Sequence, residues 1–227
     1  MSVEPGAISA IAPGLFDEIE PNRQWREVLC PGAVVLRGFA VAKERVLFDG
    51  LAAIVEQAPF RNMVTPGGLR MSVAMTNCGA LGWVTDRAGY RYDACDPQNG
   101  RPWPAMPEVF AALAREAATE AGFAGFAPDA CLVNRYEPGA RMSLHQDKDE
   151  HDFMQPIVSV SLGVAAVFLF GGMQRSDKPM RVALTHGDVV VWGGAARLRY
   201  HGVMPLKPNQ HATLGEQRIN LTFRKAG

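Results

Sequence analysis

His145 and Asp147 stand two residues apart in "SLHQDKDEH" (143–151). Alternate side chains of an extended chain share a face, so this pair offers an imidazole and a carboxylate to one point. With a histidine from a distant strand it makes a 2-His-1-carboxylate set, which leaves positions open on Fe(II). The competing reading is a solvated charge run, since acids with a lysine among them usually form exposed turns. The C-terminal "RINLTFR" (218–224) bears on the choice. By the same parity Arg218, Asn220, Thr222 and Arg224 share one face, while Ile219, Leu221 and Phe223 take the other. Arginine forks match carboxylates bidentately and asparagine adds donors, so the first face suits a small dianion. A plain edge strand with its polar side out shows the same alternation. A dianion such as 2-oxoglutarate beside an iron would join the two features. Upstream, Asn134 and Tyr136 share a face in "CLVNRYEPGARMSLHQDKD".

Spacing leaves the distal histidine open. His151 is too close in sequence to His145 to approach easily from a different strand, and His211 lies in the polar loop "PNQHAT". His186, in "THGDVV", sits at a turn and reads as structural. His201, in "RYHGV" between two β segments, precedes Arg218 by 17 residues (218 − 201) and is preferred, with His186 next.

These residues need a scaffold, and the chain of 227 residues, 48% hydrophobic and 20% charged, is long enough for a sizeable core. No apolar run approaches the roughly 20 residues that cross a bilayer. The start lacks a basic segment and turns acidic, unlike a signal peptide, which leads us to expect a cytoplasmic protein without membrane contact. Cys30, Cys78, Cys95 and Cys131 form no CxxC pair and read as small buried hydrophobes. Formal net charge is zero, so any nucleic-acid contact is expected to be local rather than a basic coat.

Residues 1–20, rich in Pro, Gly and Ala, read as a flexible lead-in to a single domain over 21–227. Apolar spacing predicts helices over 43–57 and 107–122, the second with Pro107 in its first turn and Gly122 as its C-terminal cap. After residue 130 come short β-rich runs separated by Gly, Pro and Asp turns. Helices first and strands after predict an α+β fold with a mainly β, double-sheet core and the helices packed on it. Residues 61–92, dense in Gly, Met, Arg and aromatics, read as hairpins or a flexible cover.

The HxD pair, "YHGV" and "RINLTFR" together with "PFRNMVTPGGLRMSVAMTNCG", "LGW", "PWPAMP", "PIVSVSLG" and "HGDVVVWGG" resemble the AlkB family of Fe(II)- and 2-oxoglutarate-dependent nucleic-acid dealkylases, from about "GAVVLRGFA" to the end. The resemblance implies a double-stranded β-helix (jelly roll) carrying a nucleotide-recognition lid, with 61–92 in the lid's place. It implies His145, Asp147 and His201 as the catalytic iron ligands. Arg218 would hold the distal carboxylate of 2-oxoglutarate with Asn134, Tyr136 and Asn220, and Arg224 would sit near the carboxylate at the metal end. The implied cofactors are Fe(II) and 2-oxoglutarate with O2 as co-substrate.

The implied chemistry is oxidative demethylation of N1-methyladenine and N3-methylcytosine with release of formaldehyde. The expected partner is alkylated single-stranded DNA, with double-stranded DNA and RNA as alternatives, bound by a monomer. On the substrate side Asp149 would read the cationic base and Trp83 would stack on it opposite the His145 ring. Thr65 and Tyr90 would meet flanking phosphates, Met75 would line the pocket and Arg175 would approach the base. Within "SLHQDKDEH" that leaves Gln146 and Lys148 on the opposite side, and Glu150 and His151 as solvated turn residues. An oxygenase acting on a protein or small molecule, or a non-catalytic jelly-roll binding protein, are the rival readings.

Overall fold

In the computed structural model, which describes residues 25–227, runs of alternating and β-branched residues form thirteen strands. They are β1 (Trp25–Cys30), β2 (Ala33–Arg37), β3 (Ala74–Gly79), β4 (Gly82–Asp86), β5 (Gly89–Asp93), β6 (Ala130–Tyr136) and β7 (Met142–His145). The rest are β8 (Ile157–Gly163), β9 (Ala166–Phe170), β10 (Met180–Leu184), β11 (Val189–Trp192), β12 (His201–Val203) and β13 (Arg218–Arg224). Two α-helices interrupt them, α1 (Glu44–Gln57) and α2 (Glu108–Glu120). The expected lead-in over 1–20 lies outside the described residues.

Helix α1 buries Leu47, Leu51 and Ile54, the i, i+4, i+7 stripe that its sequence announces. Helix α2 starts one residue later than expected. Pro107 is extended, with φ −57° and ψ 140°, and caps the helix through its carbonyl, which accepts from Phe110 and Ala111. Gly122, at φ +95°, lets its N–H turn back onto Thr119 O and ends the helix.

A seven-stranded antiparallel sheet runs β1-β2-β11-β8-β13-β6-β3, and a four-stranded sheet runs β10-β9-β12-β7. Strands β4 and β5 form a separate hairpin. The large sheet has two unlike faces. Val34, Leu36, Val158, Val160, Val189, Val191, Leu221 and Phe223 pack under α1 and α2, where Phe110 meets Phe223 edge-on with ring centres 6.1 Å apart. Val35, Leu132, Ile157, Val190 and Trp192 face the small sheet's Phe168, Phe170, Val182 and Val203. The core is therefore a jelly roll with helices on one side. Among the described residues no helix is long and apolar enough to cross a membrane.

This layering settles how β13 lies. It is central, between β8 and β6, and burying each large apolar side chain beneath the helices contributes about 1.5–3 kcal/mol. Its opposite face must then lie inside the sandwich, so Arg218, Asn220, Thr222 and Arg224 are all buried. The solvated-edge reading of "RINLTFR" fails.

The order of elements differs from expectation in two places. Strands β1 and β2 precede the helices and extend the large sheet, because β2 pairs with β11 along Ala33–Leu36. Residues 61–92 do not form one cover: β3 is an edge strand of the large sheet, paired with β6 from Ala74 to Gly79, and the β4–β5 hairpin stands off it. Of the four cysteines, Cys78 and Cys131 are buried as expected, face to face across β3 and β6. Cys30 and Cys95, at a strand end and in a loop, are only half-buried.

Candidate active site

Strands β7 and β12 pair with His201 opposite His145, which brings their ring centres to 4.3 Å. Asp147 follows β7 by two residues and reaches back between them. Its Oδ1 lies 3.5 Å from His145 Nε2 and its Oδ2 3.7 Å from His201 Nε2. The three offer one ligand atom each within 4.8 Å of one another. His145 Nδ1 lies 2.9 Å from Ser143 O and His201 Nδ1 3.1 Å from Arg199 O. A carbonyl only accepts, so both Nδ1 atoms carry hydrogen, and in the neutral rings the lone pairs are on the Nε2 atoms beside Asp147, the tautomer a divalent cation there requires.

The charges around this point are strongly coupled. Burial alone would favour a neutral Asp147, but Arg224 and His201 hold its carboxyl well below the usual carboxylate range. Arg224 donates to Asp147 Oδ2 through Nε at 2.9 Å and Nη2 at 2.5 Å. Burial works against a charged His145 ring, yet Asp147 outweighs it and raises the pKa. His201 is lowered by its burial and by His145 beside it.

A second cluster shows why geometry alone does not make a metal site. Glu44, His186 and His211 also bring ligand atoms within 4.8 Å of one another. Here, however, His186 Nδ1 accepts from Gly163 N at 3.0 Å, and His211 Nδ1 from Thr213 N and Leu214 N at 3.3 Å each. Each neutral ring must then carry its hydrogen on Nε2, which leaves no lone pair for a cation. His186 is a structural residue, as its turn position suggests.

The dianion end lies deeper, in a cavity lined by Asn134, Tyr136, His145, His201, Arg218 and Arg224. Arg218 is 1% exposed, stacked 5.0 Å from the Tyr136 ring, and donates from Nη2 to Ser161 Oγ at 2.9 Å. Its Nε and Nη1 have no protein partner. A buried guanidinium with donors left unpaired fits an incoming anion, since a charged acceptor such as a carboxylate satisfies them. Burial lowers the pKa of Arg218, opposed by Tyr136.

Asn220 differs from expectation. Its amide donates to Ser159 Oγ (2.8 Å) and Val160 O (2.9 Å), and its Oδ1 accepts from Thr222 Oγ1 (2.9 Å) and Asn134 Nδ2 (3.4 Å). The neighbouring strand has taken its donors, so it braces the floor of the cavity while Asn134 keeps a free Oδ1.

On the outer side, Trp83 of β4 donates from Nε1 to Asp149 Oδ2 at 2.8 Å and stacks on Tyr90 of β5, ring centres 5.7 Å apart at 19°. Tyr90 is half-exposed and borders a hollow of about 350 Å³ with Asp149, Arg91 and His151. Thr65 closes a tight turn, its Oγ1 accepting from Leu69 N at 3.1 Å. Met75 is fully buried opposite Asn134 on β6, and Arg175 is exposed on the loop after β9.

Sequence reasoning missed three residues. Glu150, expected on a solvated turn, is 5% exposed and buried among cations. It accepts from Arg197 Nη2 at 3.0 Å and from Tyr92 Oη at 2.6 Å, and faces Arg224 Nε at 3.3 Å. Arg197 also donates to Asp147 O at 2.8 Å.

Residues 32–224 match a family described as the 2OG-Fe(II) oxygenase superfamily. The chain is 59% identical over 212 residues to the alpha-ketoglutarate-dependent dioxygenase AlkB of Salmonella typhimurium, covering 93% of this chain and 98% of that protein. It is 57% identical to the Escherichia coli protein of the same name over 213 residues, 94% and 97% of the two chains. Among solved structures, OsALKBH1 superposes with a TM-score of 0.76 at 30% identity, over 88% of this chain and 99% of that one.

Proposed function

The chain belongs to the 2OG-Fe(II) oxygenase superfamily, and from that premise we propose that it repairs N-alkylated bases in nucleic acid. It is an Fe(II)- and 2-oxoglutarate-dependent dioxygenase. Its substrate class is carried by one observation, the Trp83 indole tied to the Asp149 carboxylate under Tyr90. A flat aromatic surface beside an anion suits a flat cation, and N1-methyladenine and N3-methylcytosine are cations at neutral pH. Base–aromatic stacking supplies about 1–3 kcal/mol, and positive charge on the base adds a cation–π term.

In this reading His145 Nε2, His201 Nε2 and Asp147 hold the iron. Arg218 grips the far carboxylate of 2-oxoglutarate with donors that no protein group takes, backed by Tyr136 and Asn134. Arg224 neutralises charge at the metal end through Asp147, and Asn220 keeps the floor rigid. Bound Fe(II) supplies the oxidising chemistry: 2-oxoglutarate, O2 and the N-methyl base give succinate, CO2 and an N-hydroxymethyl base, which loses formaldehyde. The protein positions the methyl group. Trp83 stacks on the extruded base, Asp149 accepts from its exocyclic amine, and Met75 backs the pocket wall. Thr65 and Tyr90 meet flanking phosphates, and Arg175 approaches the base from the opposite loop. The β4–β5 hairpin with 61–72 acts as the lid.

A damaged base costs less to extrude than an intact one, and a single strand costs least. With zero formal net charge the enzyme grips one nucleotide and a few phosphates, so single-stranded DNA is the preferred partner. Mass spectrometry of a panel of methylated DNA and RNA oligonucleotides after turnover tests this. Restored adenine or cytosine with formaldehyde is the expected result. Neither product, with 2-oxoglutarate still consumed on a protein or small molecule, would replace the substrate class.

A further inference from the structure

We infer that Glu150 is a positioning residue that couples the β4–β5 hairpin to the iron ligand Asp147. Asp147 is held twice by arginine: its side chain by Arg224 (2.9 and 2.5 Å) and its backbone carbonyl by Arg197 (2.8 Å). Both arginines converge on the Glu150 carboxylate, Arg197 at 3.0 Å and Arg224 at 3.3 Å. Two buried carboxylates thus interlock with two buried guanidiniums, and the four charges cancel. The remaining strong partner of Glu150 comes from the hairpin, Tyr92 Oη at 2.6 Å. Tyr92 pairs across that hairpin with Trp83, which in turn carries Asp149 and Tyr90. The aromatic platform and the metal ligand therefore hang from the same carboxylate.

A simple structural clamp would need only one of these links. The convergence makes them cooperate. A divalent cation held by Asp147 fixes the carboxylate that Arg224 grips, and Arg224 and Arg197 so fixed hold Glu150 in place to accept from Tyr92. Anything that moves Tyr92 acts back along the same path, because coupling between two sites is reciprocal. The inference rests on Asp147 as a metal ligand and is independent of the nucleic-acid substrate.

Mn(II), followed by the electron paramagnetic resonance of the free ion in the presence of 2-oxoglutarate, measures metal affinity without turnover. Glu150→Gln should weaken Mn(II) binding about 10-fold, the low end of the range for partners of metal ligands. Tyr92→Phe, a single hydroxyl on the hairpin, should weaken it about 3-fold, within what one net hydrogen bond supplies. The double variant should bind no more weakly than Glu150→Gln, since both changes cut one link. Hydrogen exchange across residues 82–93 should slow when Mn(II) binds the native protein, and should not respond in Tyr92→Phe. Native Mn(II) affinity in Tyr92→Phe with metal protection of the hairpin intact, or losses that multiply in the double variant, would overturn the coupling. Failure of the native protein to bind Mn(II) would overturn the metal site itself. If Glu150→Gln does not fold, the Tyr92→Phe affinity and exchange decide alone.

Discussion

Replacing Arg218 by methionine should make the metal-free protein more stable while removing its hold on 2-oxoglutarate. The side chain is 1% exposed and two of its donors have no protein partner. Each buried donor left unpaired costs about 1–3 kcal/mol, and a desolvated charge adds to that. Methionine has a similar reach with no polar hydrogen, so it fills the space beneath Tyr136 without the penalty. Two terms reduce the gain. Water entering the cavity satisfies part of the fork, and Ser161 Oγ loses the donor it now has at 2.9 Å. The net expectation is a gain of about 1 kcal/mol, within the pattern in which active-site charges are held at the expense of stability.

Binding changes the other way. The end of the Arg218 guanidinium, Nη1 with the remaining Nη2 hydrogen, would give a carboxylate two charge-assisted hydrogen bonds, each worth about 1.5–3 kcal/mol. Losing at least about 3 kcal/mol weakens 2-oxoglutarate by about 100-fold or more, at 1.4 kcal/mol per factor of ten. Urea unfolding of the metal-free proteins and titration calorimetry of 2-oxoglutarate into the Mn(II)-loaded proteins measure the two quantities. At 100 times the native Kd the ligand should stabilise the native protein by about 2.7 kcal/mol and Arg218→Met by no more than about 0.4 kcal/mol. A variant less stable than the native protein by 1 kcal/mol or more, with 2-oxoglutarate affinity within about tenfold, would show that the fork is a structural ion and not a ligand grip.

Asp149→Ala should slow repair of cationic lesions by about 10–100-fold, the worth of one charge-assisted hydrogen bond, and neutral N1-methylguanine less; equal losses in single-turnover assays refute the charge argument. His186 is held below its ordinary pKa of 6.5, first by burial and then by His211. The unfolded ring takes the proton first, so the native ring's contribution is complete above about 6.5 and is lost as pH falls below it. His186→Asn, which keeps an acceptor for Gly163 N, should flatten the acid side of the stability–pH curve; urea midpoints with parallel slopes for both proteins would contradict this. Gly82→Ala would drive a methyl group into the Trp103 indole and the Asn77 side chain, and should cost about 1–3 kcal/mol in urea unfolding.

Much of the fold was legible because its strands carry unambiguous alternation. The valine runs of β8 and β11 and the Arg-Asn-Thr-Arg parity of β13 announce strands and faces without reference to any partner. The three-residue β12 and the four-residue β7 are too short to carry a period, so only their histidines drew attention to them. Strand β3 was hidden for another reason. "AMTNCG" has no alternation because both of its faces are covered, Met75 within the sandwich core and Cys78 in the cluster beneath the helices.

The acidic run 147–150 marks where sequence reasoning about the site stops. Parity could separate Asp147 from Lys148, since a side chain's face depends on its own position. It could not separate Asp149 from Glu150 by role, because each role is set by a partner far away in sequence. Asp149 meets Trp83, 66 residues upstream, and is only half-buried. Glu150 meets Arg197, 47 residues downstream, and Tyr92, 58 residues upstream, and is sealed in. A carboxylate enters an interior only if cations enter with it, so the fate of Glu150 was written at Arg197 and Arg224 rather than in its own neighbourhood. Parity put Arg224 on the inner face and the family resemblance put it at the metal end, which left Arg197 without a reason to be where it is. An arginine between two β segments, next to "WGG" and "RYHGV", was the available signal for a buried anion, and it pointed to a second carboxylate beside Asp147.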